Sequence, residues 1–277
     1  MSLVEFTRFM NDAAALEKTL RLLQGIAQLS VSIFATVETE EAAHLVDVSG
    51  TLRKHFALGR RYFRVFKWID CALIAADALR NNEALVDSER EGVLALLNIA
   101  KWSYLGMFLF TEAFTIVDAL GVRKFSWAPM LFVESMRFWF YSISCSIILT
   151  CYDLHMNRNE IIRLQAEIAA AKEAAGTTEN GDGATRTRKE KRSKEEIKDT
   201  AAPEQKKNRL LDDKQALEKA RVRRHALLRQ LIGASCDLLT PGAVVNYTPV
   251  SPAAVAITSI ISSLISSQDI WKKVNKK

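Results

Sequence analysis

Between Leu52 and Ile69 the chain reads LRKHFALGRRYFRVFKWI, with six basic residues and no acid before Asp70. Wound as a helix at about 100° per residue, this segment sorts itself. Arg53, Lys54, Arg60, Arg61, Arg64 and Lys67 gather on one side. Leu52, Phe56, Leu58, Tyr62, Phe63, Val65, Phe66 and Ile69 gather on the other, and Trp68 is the exception among the cations. Solvated helix faces ordinarily mix charge signs, and this one does not. Such sorting fits adsorption to an anionic bilayer, with the aromatic side in the acyl boundary and the basic side on lipid phosphates. The candidate lipid-binding residues are Arg53, Lys54, Arg60, Arg61, Arg64 and Lys67. The candidate membrane-inserting residues are Leu52, Phe56, Tyr62, Phe63, Phe66 and Ile69. A cation at an anionic surface contributes about 1 kcal/mol, and a fully buried aromatic roughly 1.5–3 kcal/mol. Concentrated in a rod of about 27 Å, that energy would wedge one leaflet and favour curvature.

Residue constellations for catalysis are missing. His44, His55, His155 and His225 are scattered, and no HExxH, GxSxG, Walker loop or GxGxxG occurs. Neither a metal nor a cofactor is implied, and an enzyme is not expected. Glu112, Asp118 and Glu134 sit in apolar helical segments. There they are expected to pair with basic residues, Lys101, Arg123 and Arg137 being available. Cys71, Cys145, Cys151 and Cys236 form no CxxC pair and read as free thiols of a reducing compartment. The basic stripe carries no nucleic-acid motif, and no nucleic-acid partner is expected.

The elements that must position these residues read as helices. Eleven Gly and five Pro in 277 residues are too few turn formers for a many-stranded fold. An apolar share of 49% is too high for a wholly disordered chain and too low for a protein made mostly of membrane spans. The fold class is all-α: a membrane-associated helical protein with amphipathic helices, an apolar helical hairpin and a C-terminal apolar helix. Helical spacing of Phe6, Phe9, Met10, Ala13, Leu16, Leu20, Leu23 and Ala27 predicts one helix over 3–35. An acidic stretch ending in Ser-Gly predicts a loop over 36–50, followed by a second helix over 51–80 and a turn at Asn81–Asn82.

Four regions follow from composition. Residues 1–91 form an N-terminal amphipathic helical region, and 92–157 an apolar helical membrane region. Residues 158–232 form a charged insertion, disordered at 176–196, with flanks at 158–175 and 203–232 that can be helical. Residues 233–277 hold a C-terminal apolar helix, which Pro241, Pro249 and Pro252 delay, and a basic tail. Anchoring in a bilayer is expected from 92–120 or 130–155 together with the tail helix. No secretory signal is read at the start.

Three stretches resemble the peroxisomal membrane-elongation peroxins, the peroxin-eleven family, and within it the fungal members. The first is Glu17-Lys18 followed by Leu20-Arg21-Leu22-Leu23-Gln24. The second is Leu52-Arg53-Lys54, Phe56 and Leu58-Gly59-Arg60. The third is the closing helix with Ser262-Ser263 and Trp271. The closing helix has Ser and Ala where the family typically has more Gly, and the charged insertion has no counterpart. The resemblance implies a peroxisomal membrane protein that elongates the organelle before fission. It also implies self-association and contact with dynamin-type fission machinery. Joined to the basic and aromatic sorting, it predicts a protein that binds anionic lipid and remodels the peroxisomal membrane. The alternatives are a solute channel lined by Lys101, Glu112 and Asp118, and a soluble helical adaptor.

Overall fold

The structure, a computed structural model, describes residues 2–81, 89–179 and 201–276. Every regular element among the described residues is a helix. In chain order these are α1 (Leu3–Met10), α2 (Ala13–Phe34), α3 (Glu40–Tyr62), α4 (Lys67–Arg80), α5 (Glu89–Phe114), α6 (Ile116–Ala119), α7 (Ala128–Glu179), α8 (Ala201–Val244) and α9 (Pro252–Val274). The all-α class is therefore as the composition predicts.

The boundaries differ from the sequence expectation in four places. The helix expected over 3–35 is two helices. Asn11 closes α1, and Asp12 takes the N-cap of α2, its carboxylate accepting from the Ala15 amide at 3.0 Å. The loop expected over 36–50 is mostly helix. Thr39 caps α3, accepting from the Ala42 amide at 3.2 Å, and Glu40 and Glu41 follow in the first turn, where the helix dipole favours them. The helix expected over 51–80, and with it the continuous rod over 52–69, is broken after Tyr62. There the backbone tightens into three-residue turns, Arg64 N to Arg61 O at 3.2 Å and Lys67 N to Arg64 O at 3.1 Å. Finally, Pro241 does not end a helix but lies buried inside α8, one turn from its end. The turn at Asn81–Asn82 begins at Asn81, which closes α4. Its second residue and most of the 176–209 insertion lie outside the described residues.

The chain divides into two compact units, Met1–Thr150 with Arg229–Lys277, and Cys151–Leu228. In the first, α2 packs against α3 and α9, and α4 packs against α5. Its apolar core is Cys71, Phe108, Leu109, Met136 and Val245, with Phe108 stacked on Trp139 at 5.1 Å between ring centres. Phe9 meets Trp271 at 5.4 Å and fastens α1 to the end of α9. In the second unit the distal part of α7 and the proximal part of α8 form a helical pair. Ile161, Leu164 and Ala220 are its core, and the Asn157 amide donates to the Ala220 carbonyl at 3.1 Å.

Two helical segments are long and apolar enough to cross a bilayer, Glu91–Phe114 in α5 and Pro252–Val274, which is α9. These are two of the three anchors read from sequence. The third, 130–155, does not meet the same measure.

Candidate functional site

The break after Tyr62 decides where the 52–69 residues go. Glu17 of α2 and Glu112 of α5 sit inside the first unit and need partners, since a buried unpaired carboxylate is costly. Arg60, Arg61 and Arg64 supply them. Arg60 Nε donates to Glu17 Oε1 at 2.9 Å, and its Nη1 donates to Gln24 Oε1 at 2.8 Å. Arg64 Nη2 donates to Glu112 Oε1 at 2.6 Å, while Arg61 Nε lies 3.6 Å from the same oxygen and its Nη1 donates to Thr115 Oγ1 at 3.2 Å. Beside them Lys18 pairs with Glu17 at 3.2 Å, and Arg21 binds Asp237 and donates to Ser259 Oγ at 3.3 Å. The result is an ionic layer of eight charged groups drawn from α2, α3, the α3–α4 corner, α5 and α8.

Aromatic rings back this layer. The Arg64 guanidinium lies 5.3 Å from the Phe108 ring centre, Arg61 5.3 Å from Phe132, and Arg21 5.9 Å from Trp139. Burial alone would raise the Glu17 carboxyl. Lys18, Arg60, Arg64 and Arg21 together outweigh it and hold that group well below the ordinary carboxylate range. Burial, then the neighbouring Arg64 charge, draws Arg60 down to about 10, still a cation at neutral pH.

The six predicted lipid-binding cations therefore separate. Arg60 is buried, Arg61 and Arg64 are half-buried, and all three are engaged with carboxylates of the bundle. Arg53 is half-buried, and Lys54 and Lys67 are exposed. The predicted inserting residues behave in the opposite way to a core face. Leu52, Tyr62, Phe63, Phe66 and Ile69 are all exposed, Phe66 by 75%, and only Phe56 is half-buried. Of the two faces expected to meet lipid, the corner's arginines are instead taken up by carboxylates of the bundle. The arginines face the bundle and the aromatics face out.

Glu112, Asp118 and Glu134 are paired as their surroundings predict, with partners only partly as expected. Glu134 meets Arg137 at 2.5 Å. Asp118 meets Lys124 at 3.6 Å and accepts from the Phe125 amide at 2.9 Å, whereas Glu112 takes arginines of the corner. The sequence reading missed Glu17, Arg21, Gln24 and Asp237 as parts of one network. The available signal was charge inside otherwise apolar helical repeats, such as Glu17, Lys18 and Arg21 between Leu16 and Leu22.

Among the described residues the protein is all-helical, with two segments long and apolar enough to cross a bilayer, an internal ionic layer and an outward aromatic corner. The family model for peroxisomal biogenesis factor 11 (PEX11) matches residues 3–271, and the chain belongs to that family. It is 21% identical over 271 residues to the peroxisomal membrane protein PMP27 of Saccharomyces cerevisiae, covering 98% of this chain and 95% of the relative. No solved structure matches it. The chain is thus a peroxisomal membrane protein of a biogenesis family involved in peroxisome proliferation, as the three motif stretches imply.

Proposed function

We propose that the protein binds anionic lipid at the peroxisomal membrane through its α3–α4 corner and remodels the bilayer by inserting that corner. The observation that carries this reading is the outward projection of Tyr62, Phe63, Phe66 and Ile69 from a turn whose arginines are occupied inside. Apolar rings on a folded corner have no favourable place in water. Seating each in the acyl boundary gains roughly 1.5–3 kcal/mol at full burial. Lys54 and Lys67 are exposed, and each adds about 1 kcal/mol near anionic lipid. The ionic layer has a mechanical role in this scheme. It ties the corner to α2 and α5, so that insertion transmits force to the bundle rather than merely to a loose helix.

The test uses the full-length protein with vesicles of phosphatidylcholine alone or doped with phosphatidylserine, read by flotation and by electron microscopy of tubules. Binding and tubulation are expected only with the doped vesicles. Phe63→Asp with Phe66→Asp should keep the thermal melt and lose flotation, because both positions are exposed. Replacing Arg60, Arg61 and Arg64 by Glu should instead lower the melting temperature, because it reverses the ion pairs with Glu17 and Glu112. A folded aspartate variant that still floats with anionic vesicles would refute insertion at the corner.

A further inference from the structure

A cavity of about 700 Å³ lies in the first unit against the ionic layer, well inside the roughly 300–1,000 Å³ usual for ligand sites. Lys18, Arg21, Arg60, Arg64 and Lys67 line it, with Glu17, Asp70 and Asp237 among them. Five cations facing three carboxylates leave an excess of two positive charges. Arg61 and Glu112, which do not line the cavity but pair with each other and with Arg64, add one charge of each sign and leave that excess unchanged. Apolar lining comes from Leu105, Phe108, Leu109 and Trp139, with Arg64 over the Phe108 ring and Arg21 over the Trp139 ring. Donors are also left over once the internal pairs are made. Arg64 Nε is buried without a hydrogen-bond partner, and Lys67 has no carboxylate at ion-pair distance among the described residues.

We propose that this cavity binds the phosphate-monoester headgroup of an anionic lipid, of the phosphatidic-acid type. A phosphate monoester carries about −1.5 to −2 charge at neutral pH, which matches the excess of two, whereas a diester carries a single charge. Guanidinium groups held by carboxylates and ring faces are preorganised forks for phosphate oxygens. The apolar lining residues Leu105 and Leu109 suit the start of an acyl chain. The inference rests on the corner as the membrane-contacting end. Tyr62, Phe63 and Phe66 both line the cavity and project outward, so a lipid can keep its tails in the bilayer while its head enters.

The experiment measures binding of the full-length protein to phosphatidylcholine vesicles containing either phosphatidic acid or phosphatidylserine, matched in surface charge. Glycerol 3-phosphate serves as the soluble counterpart. About tenfold tighter binding to phosphatidic acid is expected. One variant should remove that preference while leaving phosphatidylserine binding unchanged. Ala14→Trp fills the cavity from an exposed position, and Ala14 itself takes part in no ion pair. Equal binding to the two charge-matched vesicles overturns the cavity site alone and leaves the corner standing. Binding to neither overturns the corner and the cavity site together. Glycerol 3-phosphate binding as tight as the lipid's overturns the lipid source and makes the ligand a free phosphorylated solute.

Discussion

Glu17 is the residue on which the ionic layer turns. One carboxylate answers Arg60 at 2.9 Å, Lys18 at 3.2 Å and Arg64 at 4.0 Å. Truncating one partner of a buried pair costs about 3–5 kcal/mol, mostly because the charge left behind is unpaired. Glu17→Gln preserves the shape and removes the charge, so a fall in melting temperature is expected, larger than for an exposed pair such as Arg163 with Glu167. The same residue sets an acid limit. Its folded pKa lies below the unfolded value near 4.5, so its contribution is complete above that value and fades as pH falls through the folded pKa. Melting curves from neutral pH down to about pH 3 should show an acid-dependent loss that Glu17→Gln reduces. Equal acid sensitivity in the two proteins would assign that loss to other carboxylates.

At the scale of elements, close helix contact depends on what is absent from Gly25. A β-carbon there would come within 2.9 Å of Ile260 Cγ1, where α2 crosses α9. Gly25→Ala gains helix propensity of about 1 kcal/mol but overpacks a contact at roughly 1–3 kcal/mol, so the melting temperature should fall. Gly50 in α3 has nothing within 4 Å of the same position, and Gly50→Ala should raise it. The pair of melts separates packing from propensity. Helix existence was legible because apolar residues recur at helical spacing from Phe6 to Ala27 and from Ala253 to Ser267. The helix breaks were legible only in part. Asn11-Asp12 and Thr39-Glu40-Glu41 are capping signals that a continuous apolar period and an acidic composition conceal. The break after Tyr62 carries no Gly or Pro. It follows from tertiary demand, since Arg60 and Arg64 have to reach carboxylates on α2 and α5, far away in sequence. Amphipathic sorting singled out the arginines of the corner but not the Glu17 and Glu112 carboxylates that take them, because an isolated helix wheel has no carboxylates to offer.

Across the whole molecule, the stretches that carry the family resemblance converge. Arg60 of the second stretch joins Glu17 and Gln24 of the first, Arg21 reaches Ser259 of the closing helix, and Trp271 packs on Phe9. Segments at opposite ends of the chain thus build one unit, and residues 151–228, between them in sequence, form the other. The second unit has its own apolar core of Ile161, Leu164 and Ala220, with Ala216 and Leu217 packed against it. It contributes no residue to the ionic layer, the cavity or the aromatic corner. A truncation that joins residue 168 to residue 212 through a short Gly-Ser turn keeps that small core and removes the most charged part of the chain. This variant should retain the melting temperature of the first unit and float with anionic vesicles as the intact protein does. A loss of flotation with an unchanged melt would transfer lipid binding from the corner to the deleted cations. A lowered melt would show that the insertion supports the bundle it interrupts.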